Sequence, residues 1–220
     1  MDKRDKAALI EQLLQYVTEN KQEKMHAVLK NRTRYVTVVL EDLFQPHNAS
    51  AALRTCDIFG VQDVHVVEAL HSFKAVPTIA MGASKWVDVY SYSSITDSIM
   101  ALKAQGYAIA ATTPHGKSYS LPELPLDQKI ALVFGSEQTG LSEQALAHAD
   151  MFVKIPMFGF VESFNVSVSV ALCLYDVITR LHNSEYAWQL SQEAQEDILL
   201  EWIKKVSKTA ELLGKETPPL

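Results

Sequence analysis

Two stretches decide how this chain reads. The first is Ile130-Ala131-Leu132-Val133-Phe134-Gly135-Ser136-Glu137-Gln138-Thr139-Gly140. The second is Met151-Phe152-Val153-Lys154-Ile155-Pro156-Met157-Phe158-Gly159-Phe160-Val161-Glu162-Ser163-Phe164-Asn165-Val166-Ser167-Val168. In each, an apolar run of strand length stops at Gly or Pro, a polar loop follows, and then a helical or small-residue pattern begins. Short apolar strands alternating with helices imply an α/β fold, a parallel sheet with helices on both faces. Ligands of such sheets sit outside the carboxyl ends of the strands. The ends of these two runs, with Thr112 at the end of a third, are therefore where a site is expected.

Outward from there the pattern repeats. Residues 35–40, 64–67, 87–90 and 107–112 are β-branched and apolar and read as strands. Residues 6–30 read as helix in two pieces, broken after Asn20. Pro46 suits the start of a helix that Gly60 ends, and residues 96–105 form another, closed by Gly106. Residues 69–81 are a loop or a helix, and 113–128, with four Pro and Gly residues, a loop. Ser142 is an N-cap, with Leu141 and Leu146 placed as a hydrophobic staple. Residues 166–174 satisfy both a strand and a helix period. The apolar positions run on to Leu181 without a breaker, so the length selects a helix, capped near Glu162 or Ser163. Ser191 caps a last helix, 193–213, ended by Gly214. Asn48 and Arg54 are six apart and so lie on different faces of an ideal helix. Asn48 then belongs to the turn before the helix and Arg54 to its body. From spacing alone, a capping residue and a surface salt bridge are the favoured roles.

Composition excludes several classes. With 220 residues, 48% hydrophobic and 21% charged, the chain buries one core. No apolar run is long enough to span a membrane, and Met1-Asp2-Lys3-Arg4-Asp5 leads into an amphipathic segment rather than a signal sequence. Cys56 and Cys173 have no Cys-x-x-Cys or His partner at metal spacing, so no metal site is expected; they read as reduced thiols of a cytoplasmic protein. The eight glycines never form Gly-x-Gly, which removes the Rossmann fingerprint and the P-loop. A net charge of −6 argues against non-specific nucleic-acid binding. Residues 1–36, however, carry eight basic against five acidic side chains, a net +3. Either a basic face or an ordinary solvated helix surface accounts for them.

Three segments then stand out in order: Pro46-His47-Asn48-x-Ser50-Ala51-x-x-Arg54-Thr55-x-Asp57, Phe134-Gly135-Ser136-Glu137-x-x-Gly140, and Ile155-Pro156-Met157-x-Gly159-x-Val161-x-Ser163-x-Asn165-Val166-Ser167-Val168. With Gly82-Ala83-Ser84-Lys85-Trp86-Val87, they closely resemble the TrmH (SpoU) family of SPOUT RNA 2′-O-ribose methyltransferases over roughly residues 25–183. Within that family the chain looks most like the tRNA guanosine-18 enzymes.

The resemblance implies a C-terminal trefoil knot, which chain topology otherwise avoids, and a homodimer acting on tRNA with S-adenosylmethionine as methyl donor. It divides the chain into an N-terminal helical extension (1–34), a methyltransferase domain (35–183) and a C-terminal helical extension (184–220). It places the cofactor against Thr112, Gly135, Ser136, Glu137, Ile155, Met157, Ser163 and Phe164, with Gly135 and Gly159 letting main chain approach closely. Asn48, Arg54, Glu137, Ser163 and Asn165 match the family's polar active-site positions. Arg54 matches the residue proposed there as base, but a guanidinium stays protonated. It fits better as an electrostatic stabiliser or phosphate anchor, with Asn48 and Asn165 orienting it and the ribose. Two departures bear on substrate. Relatives carry an arginine-rich run after the knot helix where this chain has Thr179-Arg180-Leu181-His182, and Glu162 stands where Gln is common. Ribosomal RNA, another tRNA position, or a non-catalytic RNA-binding scaffold are the alternatives.

Overall fold

A computed structural model describes residues 3–73, 76–113 and 118–207. The elements are α1 (Lys3–Leu14), α2 (Glu19–Leu29), β1 (Val36–Glu41), α3 (Pro46–Ile58), β2 (Asp63–Val67), α4 (Pro77–Ala80), β3 (Asp88–Tyr92), α5 (Ile95–Ala104), β4 (Ala108–Thr112), β5 (Tyr119–Ser120), β6 (Ile130–Phe134), α6 (Glu143–His148), β7 (Met151–Lys154), α7 (Val166–His182) and α8 (Gln192–Val206). The seven strands lie in the order β3-β2-β1-β6-β4-β7-β5, and every pairing is parallel.

The strand sequences explain the layering. β1 and β6 are buried along their whole length, as expected of strands covered on both faces. Val36, Val38, Leu40, Ile130, Leu132 and Phe134 point into a core completed by α3 and α7. Val39, Ala131 and Val133 point the other way, to Ile95, Ile99 and Leu102 of α5 and Ala145 of α6. Cys56 on α3 and Cys173 on α7 are both buried. Burial pushes the Cys173 thiol up to about 12, so it stays protonated and inert. Thr33–Trp188 make one compact unit. The described residues up to Arg32, with those from Gln189 onward, make a second.

Several boundaries differ from the sequence reading. The first helical break lies between Leu14 and Glu19, not after Asn20, because the Gln22 amide closes the end of α1, donating to the carbonyls of Leu14 (3.0 Å) and Val17 (2.7 Å). The described residues of 69–81 are mostly loop with the single turn α4, and the described residues after Thr112 include the short strand β5. α7 is capped by Asn165, whose side chain accepts from Ser167 N–H, rather than by Glu162 or Ser163. α8 stops at Val206, where Ser207 turns extended. The expected stop at Gly214 lies outside the described residues.

Three of the eight basic side chains of residues 1–36 are engaged inside the molecule, while Lys21, Lys24 and Lys30 are exposed. Lys6 pairs with Asp197, Arg32 is buried with its guanidinium over the Trp202 ring, and Arg34 bridges Asp63 (3.0 Å) and Asp88 (2.9 Å). These three make contacts within the fold, so neither a free basic face nor a plainly solvated surface describes them. The side chains of Lys3 and Arg4 lie outside the described residues. Arg180 is likewise structural, bonding Asp176 and the carbonyls of Leu124 and Leu121.

Next to the Arg34 bridge, His65 of β2 is 3% exposed, stacked against Tyr90 and Tyr92, with Nδ1 3.1 Å from the Tyr92 hydroxyl. Burial lowers its pKa to about 4. The folded state keeps His65 neutral while the unfolded chain protonates it near pH 6.5. The associated stability is thus complete above pH 6.5 and falls away between 6.5 and 4, by about 3 kcal/mol. Urea unfolding at pH 7 and pH 4 should show this loss, and His65→Gln should reduce it. An equal pH difference in both proteins would remove His65 as its source.

Candidate active site

β6, β4 and β7 are neighbours in the sheet, so their carboxyl ends and the first residues beyond them stand side by side. The loop after β6 is closed on itself. Ser136 N–H donates to Gly140 O (3.1 Å) and Gly140 N–H to Ser136 O (2.9 Å), and Gly140 has φ +70°. The turn is so tight that a Cβ on Gly135 would lie 2.2 Å from the Gly140 carbonyl carbon. Gly135 is there because nothing larger fits. At Gly159, by contrast, a Cβ would meet no protein atom within 4 Å, so the fold itself does not demand glycine there.

This closed loop presents Glu137 to α3 and to the start of α7. The Asn48 amide donates to Glu137 Oε1, and Phe44 N–H donates to Oε2 at 3.2 Å. Asn165 Nδ2 donates to Asn48 Oδ1 at 3.1 Å, and Asn165 Oδ1 accepts from Ser167 N–H (2.9 Å) and Ser167 Oγ (2.6 Å). The four side chains form one run of donors pointing toward a carboxylate, an arrangement in which each bond polarises the next. Asn48 lies in the first turn of α3, not in the turn before it.

The cluster stands at a cavity of about 620 Å³ lined by Thr112, Gly135, Ser136, Thr139, Leu141 and Phe164, together with Glu137, Ser163, Asn165 and Ser169. An adjoining space of about 90 Å³ is bordered by Ile155, Met157 and Glu162 and shares Thr112, Ser163 and Phe164 with the first. The larger volume suits a nucleoside-sized molecule.

A family model described as "SpoU rRNA Methylase family" matches residues 35–175. The chain belongs to the SpoU methylase family. A tRNA (guanosine(18)-2'-O)-methyltransferase of Borreliella burgdorferi is 39% identical over 201 residues, 91% of this chain and 92% of that one. The TrmH/SpoU tRNA modifying enzyme of A. aeolicus superposes with a TM-score of 0.76 at 30% identity, covering 84% of this chain and 95% of that one. The fold is also that of the SpoU methyltransferase AviRb from Streptomyces viridochromogenes, solved in complex with AdoMet (TM-score 0.59, 20% identity, 72% and 62% covered).

As a SpoU methylase, the chain brings most of the residues singled out from sequence into one place. Thr112, Gly135, Ser136, Glu137, Ile155, Met157, Ser163 and Phe164 all line the two cavities. Asn48, Glu137 and Asn165 touch one another in the polar run. Arg54 is not brought to them. It is exposed on α3, lines neither cavity and, among the described residues, makes no hydrogen bond or ion pair. The salt bridge its spacing suggested is absent there. Sequence reasoning missed Thr113, Leu141, Leu146, Val166 and Ser169 as cavity residues. Ser169 was within reach, one helical turn after Asn165 on the same face of α7. Phe44 gave no signal, because its contribution to the site is a backbone N–H. Among the described residues no group of His, Cys, Asp or Glu could hold a metal ion, and no helix is long and apolar enough to cross a membrane.

Proposed function

We propose that this chain methylates a ribose 2′-hydroxyl of tRNA, at guanosine 18 of the D-loop, with S-adenosylmethionine as donor. The observation that carries this reading is the Ser167–Asn165–Asn48–Glu137 run, drawn from three separate motifs, at the mouth of the 620 Å³ cavity. The residues fit such a donor. Leu141, Leu146, Val166 and Phe164 offer apolar surface for a purine, and Thr112, Thr139, Ser163 and Ser169 offer hydroxyls. Glu137 places negative charge beside a cationic ligand, and the Gly135 turn lets main chain line the wall. Bound there, the cofactor supplies a methyl group activated by its sulfonium.

The chain's own residues position the acceptor, which is the main contribution in such a displacement. Asn48 and Asn165 fix the Glu137 carboxylate and orient the ribose. Of the matched side chains only Glu137 can take up the hydroxyl proton, since amides and Ser163 cannot hold one at neutral pH and a guanidinium already does. Arg54, which stands away from this cluster within one chain, would reach the developing oxyanion or a phosphate only across an interface with a second copy.

The reading includes a homodimer and a trefoil knot. Val168, Leu172 and Tyr175 form an exposed apolar stripe on α7, and Ile58 on α3 is 66% exposed. Tyr175 packs against Phe59, next to Ile58 in the chain. Arg54 lies one turn before Ile58 on the same helix, so covering this surface with a second copy would carry Arg54 to the shared interface. The knot follows from the resemblance to the SpoU family, whose model spans residues 35–175. Two cysteines buried in the core suit a cytoplasmic enzyme.

The test is transfer of labelled methyl from S-adenosylmethionine to unmodified tRNA and, separately, unmodified ribosomal RNA, with the product nucleotide mapped. Label on the ribose of guanosine 18 is expected. Label in ribosomal RNA alone would keep the chemistry and overturn the substrate. No label despite cofactor binding would favour a non-catalytic scaffold.

A further inference from the structure

The turn after β1 holds an aromatic pair that the methyl-transfer reading does not use. Asp42, at φ +49°, adopts a left-handed conformation that a side chain tolerates only when its surroundings impose it. What imposes it here is the Asp42 carboxylate, which accepts from the backbone N–H groups of Leu70 and His71, both at 2.8 Å, and faces His71 Nδ1 at 3.2 Å. These hydrogen bonds hold the Asp42 carboxyl below its usual range against the effect of burial. They also tie the loop after β2 to the loop after β1 and fix the orientation of the His71 ring. That ring meets Phe44 at 5.1 Å between centroids and 89° between planes. A perpendicular contact covers at most one face of the phenyl ring, and Phe44 remains 43% exposed. The backbone N–H of the same residue is bonded to Glu137 Oε2.

A rigid aromatic ring thus stands in solvent one residue's width from the candidate catalytic carboxylate. We infer that Phe44, braced by His71 and Asp42, is a stacking surface for an unpaired nucleobase of the RNA, at or beside the ribose that Glu137 and Asn48 face. The inference rests on the RNA-methylation reading above and adds to it the residue that holds the substrate's base. Proteins read single-stranded RNA by splaying bases onto aromatic side chains. An exposed ring has no fold-stabilising reason to be locked by a strained turn. Four of the basic side chains, Lys6, Arg32, Arg34 and Arg180, are engaged internally and so offer less charge to an RNA. Stacking is a sequence-tolerant substitute.

The experiment compares the full-length wild type with Phe44→Ala and Phe44→Trp. It measures equilibrium binding of unmodified tRNA, S-adenosylmethionine binding by calorimetry, and sedimentation. Both substitutions keep the backbone N–H that holds Glu137. Phe44→Ala should weaken tRNA binding by roughly 5- to 150-fold, the range typical of one lost base stack. Cofactor affinity and oligomeric state should be unchanged, and Phe44→Trp should bind tRNA as the wild type does. A Phe44→Ala protein that binds tRNA normally overturns the stacking surface and leaves the methylation reading standing. So does a Trp variant as weak as the Ala variant. Parallel loss of cofactor binding would make Phe44 a prop for Glu137, and a shift in sedimentation would make it a contact between copies; each overturns the inference. A wild type that binds no tRNA overturns both readings.

Discussion

Asn165→Ala should lower methyl-transfer turnover by roughly 10²- to 10³-fold, the usual cost of removing one positioned polar group from a reaction centre, while the protein stays folded. Asn165 does two things at once. Its Nδ2 donates to Asn48 Oδ1, and its Oδ1 caps α7 through Ser167. Loss of the cap costs about 1 kcal/mol. α7 withstands this because seven of its residues, from Val166 to Leu181, are buried. The two roles separate in Asn165→Asp. Aspartate caps a helix as well as asparagine does, but it offers Asn48 Oδ1 no N–H and adds negative charge near Glu137. Asn165→Asp should therefore melt like the wild type and turn over as poorly as Asn165→Ala. An alanine variant within threefold of wild-type turnover would take Asn165 out of the machinery. An active aspartate variant would show that only the cap matters.

Gly135→Ala should abolish most cofactor binding, raising the dissociation constant at least about 100-fold by calorimetry. The added Cβ would sit 2.2 Å from the Gly140 carbonyl carbon and 2.3 Å from both Gly140 O and Leu141 N. All three are backbone atoms and cannot swing aside. The paired hydrogen bonds between Ser136 and Gly140 must open, and with them goes the wall that carries Ser136 and Glu137. Overpacking of this kind costs about 1–3 kcal/mol, so thermal stability should also drop. Gly159→Ala is the control. It meets no atom within 4 Å, and cofactor affinity should be kept. If the two variants bound S-adenosylmethionine equally well, the closed loop would not be part of the cofactor site.

Much of this architecture can be read locally. The alternation of short apolar runs with helical patterns identifies a parallel α/β sheet, because a strand buried on both faces must be apolar along its length, as Ile130–Phe134 is. Pro46 at the start of α3 and Ser142 and Ser191 as caps are likewise local, since a cap bonds residues two or three positions on. The residues that line the two cavities were legible through their motifs, in which backbone geometry and side chain sit together in a few consecutive positions. The misplaced boundaries arose where distant or side-chain contacts overrode local signals, as when Gln22 closes α1.

Contacts between distant segments were decided only in three dimensions. The placement of β4 between β6 and β7 brings three strand ends together, and no periodicity specifies strand order. Asn48 and Asn165, 117 residues apart, meet because α3 and α7 pack on the same face of the sheet. The same packing leaves Arg54 on another face of α3, away from the residues its motif groups it with. Charge gave the least reliable guide. Lys6, Arg32 and Arg34 count as positive in any composition, yet each is spent on a partner that only folding supplies. Sequence periodicity records which face of an element is apolar; it carries no record of which polar group will stand opposite, because that is set by the packing of elements far apart in the chain.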